Sequence, residues 1–262
     1  MDPFLITEPT VISFSGGRTS AYLLWRVLQS NNGLPKEAVV CFANTGKEDE
    51  ATLKFVKDCE DKWNVPIVWL EYQVEKPGYK IVTFETASRN GEPFDELIRR
   101  KNYLPNTFAR FCTSELKVNL FKKAFPLHEL TFVGIRADEP RRVAKMAANK
   151  DEKVCPLAIA GVGQQEVLNF WKSQPFDLQI VTLNGNALLG NFDLCFMKKL
   201  SHKVNLIKEN PSRATWWIKK EEEIKSVFRQ DHPSYKQMSN FVSTQSDLFE
   251  SDDETIPCYC GD

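Results

Sequence analysis

The chain has 262 residues, 42% of them hydrophobic and 26% charged, with 34 basic against 35 acidic side chains and a formal net charge of −1. That is the make-up of a globular protein long enough for one α/β domain with an elaboration, or for two small domains. It excludes a general electrostatic attraction to nucleic acid or lipid, which would have to come from a local patch, and no apolar run approaches the ~20 residues of a membrane span.

The start, Met1-Asp2-Pro3-Phe4, lacks the basic and apolar regions of a secretory signal. A cytoplasmic location is therefore expected, with the seven cysteines reduced. Val11 to Ser15 reads as a buried strand, and a helix from Gly17 to Ser30 follows, with Ala21, Leu24, Val27 and Leu28 at helical spacing. Asn31-Asn32-Gly33 ends it. A second strand is expected over 38–44, a second helix over 48–63, a third strand over 66–71, a helix around 115–125 and a fourth strand over 131–136. Alternating strands and helices, with strands apolar on both faces, imply a doubly wound parallel sheet covered by helices. Right-handed crossovers then gather the strand C-termini at one edge, where ligands bind.

Past residue 150 the pattern weakens. Helices are expected over 164–172 and 219–229, and a loop over 185–199. The expected division is a nucleotide-binding α/β part, 1–150, and an irregular, cysteine-containing extension, 151–262. The acidic stretch 247–254 precedes Cys258 and Cys260, and two adjacent thiols beyond it suggest that something ties the tail to the body.

The residues with chemistry fall at the strand ends. Ser13 lies in the first strand and is counted with the nucleotide-binding residues, and Ser15-Gly16-Gly17-Arg18-Thr19-Ser20 turns that strand into a helix. Such a corner offers unpaired main-chain N–H groups and the positive pole of the helix. Gly16 and Gly17 let the backbone close on an anion, the three hydroxyls add donors, and Arg18 adds a cation that either reaches a phosphate or faces water. The plainer reading is a strand–turn–helix capped by hydroxyls. Asn44-Thr45-Gly46, after the second strand, is placed to meet adenine or ribose, or else simply caps the next helix. Arg136, Arg141 and Arg142, with Gly134 before them and Glu139 among them, offer guanidinium forks for phosphate oxygens. Arg136 and Arg142 are the expected catalytic cations.

The loop resembles the signature of the PP-loop superfamily, Ser-Gly-Gly-x-Asp/Thr-Ser, which includes ATP pyrophosphatases, tRNA-thiolating enzymes and phosphoadenosine phosphosulfate reductases. Asn44 to Glu48 with Glu50, Thr52 and Phe55, and Gly134 to Glu139 with Arg141 and Arg142, resemble further segments of the reductases. The resemblance covers roughly residues 10 to 200. It implies the adenine nucleotide α-hydrolase-like fold, with ATP or a related adenylate over the first strand. Two departures count. Thr19 stands where ATP-hydrolysing members often have Asp, so a magnesium-bound mode is not assigned. Pro257-Cys258-Tyr259-Cys260-Gly261-Asp262 replaces the reductases' Glu-Cys-Gly-x-His.

Cys112, at a helix start between Arg110 and Lys117, together with Cys195, Cys258 and Cys260 makes four thiols, the count of a 4Fe–4S cluster or a structural zinc site. Phage and prophage relatives of the reductases carry Gly-Asn-Cys-x-x-Cys-Phe and a terminal Cys-x-Cys-Gly-Asp; here Phe192 takes the place of the first of those cysteines. Cys41, Cys59 and Cys155 read as structural, and the three histidines form no metal or triad pattern. The expected activity is adenylation of an acceptor with pyrophosphate release, or sulfur transfer to it; the acceptor is a tRNA, a DNA or a small metabolite. The alternatives are thiol-dependent reduction of a sulfonucleotide, with a thiol donor as partner, and a non-catalytic nucleotide-binding subunit of a nucleic-acid-modifying assembly. A homo-oligomer is compatible with each.

Overall fold

The computed structural model of the chain describes residues 2–148, 153–180, 182–183, 186–187 and 192–244. Its centre is a six-stranded sheet in the order β4-β3-β2-β1-β5-β6. The strands are β1 (Thr10–Ser13), β2 (Ala38–Asn44), β3 (Ile67–Tyr72), β4 (Tyr79–Val82), β5 (Leu130–Val133) and β6 (Lys153–Val154). Neighbours pair in parallel except β4, which runs antiparallel to β3 along the edge. That antiparallel edge is an addition to the parallel sheet expected from the sequence. A short strand pair, β7 (Thr182–Leu183) and β8 (Asn186–Ala187), stands apart from the sheet.

The strand alternation sorts side chains into two layers. On one face Ile12, Val40, Phe42 and Trp69 pack against α1 (Arg18–Ser30), α2 (Glu50–Lys62) and, through Val167 and Trp171, the later α8 (Gln164–Ser173). On the other face Val11, Cys41, Ala43, Leu70 and Tyr72 meet α3 (Glu92–Lys101) and a bent helix. That helix comprises α4 (Phe111–Thr113), a π-helical stretch (Ser114–Val118) and α5 (Asn119–Ala124). Between β5 and α8 lie α6 (Pro140–Ala147) and α7 (Pro156–Ile159).

The chain after residue 150 joins both layers. Besides α8 on the first face, the second core takes in Phe192, Leu194, Phe196 and Met197. It also takes in Leu206 of α9 (Leu200–Glu209), Trp217 of α10 (Ala214–Ile224) and Tyr235 of α11 (Tyr235–Thr244). A helix was expected over 219–229; α10 ends at Ile224, where Lys225 adopts φ 55° and closes it. Cys41 and Cys59 are fully buried, and burial pushes both thiols far up. Among the described residues no helix is long and apolar enough to cross a membrane.

The later segment is seated on the β2–α2 connection. The Lys47 ammonium lies 3.0 Å from Asp193 Oδ2, and Asp193 N–H donates to the Lys47 carbonyl at 2.9 Å. Asp193 also accepts from the Trp217 indole at 3.0 Å, and Arg213 donates to Asp49, the N-cap of α2, at 2.8 Å. Gly91, at φ +88°, is the floor on which Trp216 rests: a Cβ there would stand 2.8 Å from the ring's Cε2. Replacing Gly91 with Ala should therefore destabilise the protein by about 1–3 kcal/mol, since a left-handed conformation and a clash coincide. Urea denaturation checks this against Gly163→Ala, whose Cβ would meet nothing nearer than 3.7 Å and which should change stability little.

Candidate nucleotide and acceptor site

The strand order reverses between β1 and β5, since β2 lies on one side of β1 and β5 on the other. The loops leaving these two strands therefore face a common crevice, the usual ligand site of such sheets. After β1, Phe14 N–H still bonds the Cys41 carbonyl at 2.9 Å, and the chain then turns through Ser15 and Gly16. Gly16 has φ +82°, and a Cβ on it would stand 2.6 Å from Thr52 Cγ2. Glycine thus lets the loop lie flat on α2. Ser20 knits the corner together: its Oγ accepts from Ser15 N at 3.1 Å and donates to the Gly17 carbonyl at 2.9 Å. Gly17 is the N-cap of α1 and makes no side-chain cap, whereas Asp49 caps α2 through Ala51 N. The opening amides of α1 have no intrahelical acceptor and lie at the helix's positive pole.

The β5 loop lies directly over this corner. A Cβ on Gly134 would be 3.0 Å from Ser20 Cα. Two residues on, Arg136 donates from Nη1 to Thr19 Oγ1 at 3.1 Å and from Nε to Asp138 at 2.9 Å, while its own N–H bonds Glu139 at 3.0 Å. The Arg136 guanidinium reaches the first turn of α1 and is held there by two carboxylates. Arg142 pairs with the other oxygen of Glu139. Arg18 is placed differently from the expectation of a phosphate-facing cation. Its guanidinium makes a two-pronged pair with Asp177, 2.7 Å on each prong, and donates to the Leu178 carbonyl at 3.1 Å. Its contribution at the corner is its main chain.

Asn44 and Thr45 are completely buried. Asn44 Nδ2 donates to Glu71 at 2.6 Å and to the Ser88 carbonyl at 2.8 Å. Thr45 gives both its N–H and its hydroxyl to Glu48, at 2.8 and 2.9 Å. Their side chains brace the loop from within, and Gly46, φ +77°, lets it touch Gly91. Burial pushes the Glu48 carboxyl up, and the Lys117 ammonium 4.0 Å away opposes that shift. Glu48 sits three residues after Thr45, within the connection that precedes the Asp49 cap of α2, and that Thr-x-x-Glu spacing was the available signal for this brace.

A cavity of about 950 Å³ opens beside the corner, lined by Ser13, Ser15, Ser20, Gly134 and Ile135 at its sheet end. Its walls come from the bent helix 111–124, the turn after it and α6. Among the described residues its lining includes the basic side chains Arg110, Lys117, Lys122, Arg142, Lys145 and Lys153 and the acid Glu129. Of these, Lys122, Lys145 and Lys153 did not stand out in the sequence, because they lie on three separate elements that only the fold brings together.

Cys112 and Cys195 are buried in the same core. Their segments meet where the Lys117 ammonium lies 4.9 Å from the centre of the Phe192 ring. Phe192, in the place of a cysteine, packs against Phe94 at 5.9 Å between ring centres. Cys258 and Cys260 lie outside the described residues, and among the described residues no cluster of three or more metal-binding side chains forms.

A sequence profile of the phosphoadenosine phosphosulfate reductase domain matches residues 9–174. The uncharacterized nin region protein ORF290 of Escherichia phage lambda is 32% identical over 210 residues, covering 75% of this chain and 68% of the phage protein. An uncharacterized protein of Methanocaldococcus jannaschii is 30% identical over 138 residues, 51% of this chain but 24% of that protein. Among solved structures, the U34-tRNA thiolase NcsA from Methanococcus maripaludis with its 4Fe-4S cluster aligns with TM-score 0.41 and 11% identity over 97% of this chain and 80% of that one.

The raised Glu48 carboxyl has a consequence for stability. An acid held above its ordinary range favours the folded state at low pH, and that contribution is lost as pH rises from the ordinary carboxylate range through the raised value. Glu48→Gln should therefore flatten the fall in stability across that window, as read by urea midpoints at intervals from pH 4.5 upward. An unchanged pH profile would show that Lys117 fully offsets the burial.

Proposed function

The chain belongs to the phosphoadenosine phosphosulfate reductase domain family, and on that premise we propose that it is an enzyme that binds ATP or a related adenylate at the Ser15–Ser20 corner and activates an acceptor held in the adjoining cavity. The observation that carries this reading is the uncapped start of α1 at the point where the strand order reverses, opening onto the adjoining cavity.

In this reading the first amides of α1 hold phosphate oxygens, with the positive end of the helix behind them. Ser15 and Ser20 keep the corner in shape. An acceptor oxygen attacks the α-phosphorus; its bond to that phosphorus forms as the α–β bridging bond breaks, pyrophosphate departs, and any proton on the attacking oxygen passes to water. Arg136, locked against Thr19 by Asp138, faces the charge that grows as that bond breaks, and Arg142 adds positive field from the cavity wall. Such chemistry rests on positioning and charge rather than on a strong base. A sulfur nucleophile delivered by a thiol donor can then displace AMP from the activated acceptor.

A second reading, reduction of a sulfonucleotide, is favoured by the family. A thiolate would attack the sulfate sulfur and release the nucleotide, and a second thiol would then release sulfite. Cys112 and Cys195 are buried in the apolar core, so this route places the attacking thiolate at Cys258 or Cys260. Purified protein supplied in turn with ATP and with sulfonucleotide plus reduced thioredoxin separates the two: pyrophosphate supports the first reading, sulfite the second.

Cys112 and Cys195, buried in the same core, together with Cys258 and Cys260 are the four thiols that would hold a 4Fe–4S cluster, with zinc as the alternative; such a group would fasten the end of the chain to the core. Anaerobically purified protein is then expected to be brown and to contain iron, and Cys112→Ala to lose both. Zinc in a colourless protein would select the alternative, and a metal-free protein would remove both.

Gly17→Val tests the corner itself. Gly17 has φ −99° and ψ 162°, a conformation open to any residue, so the fold should survive while the added branch crowds the anion. ATP affinity measured by calorimetry should fall by at least about tenfold. Undiminished affinity would place the phosphates elsewhere.

A further inference from the structure

We propose that α6 is a lid on the cavity beside the corner, and that nucleotide bound at the corner seats this lid through Arg136 and Glu139; this rests on the corner being the nucleotide site. Among the described residues α6 is the one α-helix without a fully buried side chain. Val143 and Met146, its two large apolar residues, are only half-buried, and Ala144 and Ala147 are exposed. With eight residues it is also too short to be stable by itself. A helix with so little buried surface opens locally at low cost. Arg142 and Met146, four residues apart and so on one face, both line the cavity. The position of α6 therefore sets the width of the cavity.

The start of α6 is tied to the nucleotide corner. Glu139 holds the N-cap position, yet its carboxylate caps no amide of α6. One of its oxygens accepts from Arg136 N at 3.0 Å and lies 3.8 Å from Arg136 Nη1, and the other pairs with Arg142 in the first turn. The same guanidinium donates to Thr19 in the first turn of α1 at 3.1 Å and to Asp138 at 2.9 Å. Asp138 in turn accepts from Gln164 N, the first amide of α8, at 2.8 Å. Arg136 thus links the starts of three helices. Two of them are anchored: α1 buries Leu23, Leu24 and Val27, and α8 buries Val167 and Trp171. The third, α6, is the one that yields.

Phosphate oxygens on the opening amides of α1 lie beside Thr19 and compete with Asp138 and Glu139 for the Arg136 guanidinium. As the guanidinium turns to them, Glu139 loses that cation and keeps Arg142. Its carboxylate then serves α6 alone, by the pair with Arg142 and by its negative charge at the helix's positive pole. Both effects tighten α6 over the cavity. Lids that seat on a loaded site exclude water from it.

Hydrogen–deuterium exchange of the full chain, read by mass spectrometry on peptides covering 140–147, tests the proposal with ATP as the probe. Without ATP the amides of α6 should exchange faster than those of α2 and α8. Saturating ATP should slow them by at least about fivefold, the lower end of ordinary coupling between sites. Glu139→Gln keeps the shape and removes the charge; it should still bind ATP while α6 exchanges equally fast with and without it. Exchange of α6 as slow as that of α2 and α8 without ATP, no slowing by bound ATP, or a Glu139→Gln response as large as the native one would each overturn the proposal. Calorimetry on the same samples keeps the two readings apart. ATP that fails to bind overturns the function proposed above together with the lid, whereas ATP that binds without slowing α6 overturns the lid alone.

Discussion

The start of α1 has no side chain to cap it. Other helices begin in various ways: α2 has its aspartate, α3, α6 and α7 have a proline in the first turn, and α8 also starts at a glycine. What sets α1 apart is its place: it follows the central strand at the point where the strand order reverses, begins at a bare glycine, and has serine hydroxyls turned inward to hold the corner. Several neighbouring features keep that start open and in place. Gly16 lets the turn settle on α2, Gly134 lets the β5 loop close over it, and Asp138 keeps Arg136 at Thr19. A side chain at any of these glycines would push on main chain or on a packed helix, so the corner tolerates little change in shape.

A second constraint comes from the far end of the sequence. The connection after β2 is held from below by Glu71 and Glu48 and from above by Asp193, Trp216 and Arg213. Glu71 is completely buried and satisfied by Asn44, Ser88 and the Lys80 ammonium from the edge strand. Removing one partner of such a buried set leaves donors without acceptors, which costs about 1–3 kcal/mol for each group. The chain beyond residue 150 is therefore part of what shapes the crevice, and its aromatic residues complete the layer that α3 and the bent helix begin.

The first four parallel strands and the glycine corner were readable because buried apolar runs, sharp turns and amphipathic helices are local patterns. Strand β4 was not, being four residues long with two of them exposed. Helix α3 carries a legible spacing in Phe94, Leu97 and Ile98, but it follows an irregular stretch that hides its start. At the site, the positions of Ser15, Gly16, Ser20 and Arg136 follow from local order. The partner of Arg18 does not, since Asp177 is 159 residues away in sequence. Asn44 and Thr45 looked like ligand contacts because they follow a strand; which way a side chain turns at a strand end depends on acceptors such as Glu71, which only the packed sheet brings near. The cavity was hidden for the same reason, because its lining is collected from separate elements.

Arg18 is attached twice, by its main chain to the opening turn of α1 and by its side chain to Asp177 and the Leu178 carbonyl. Trp171 adds a third tie, its indole N–H donating to the Arg18 carbonyl at 3.0 Å. The side chain that most resembles a phosphate ligand in the sequence is thus an anchor bolt for the segment behind the helix. Its natural correlate in related chains is Asp177 rather than any substrate group: the two positions are expected to change together, arginine–aspartate giving way to some other matched pair, while the glycines and serines around them stay as they are.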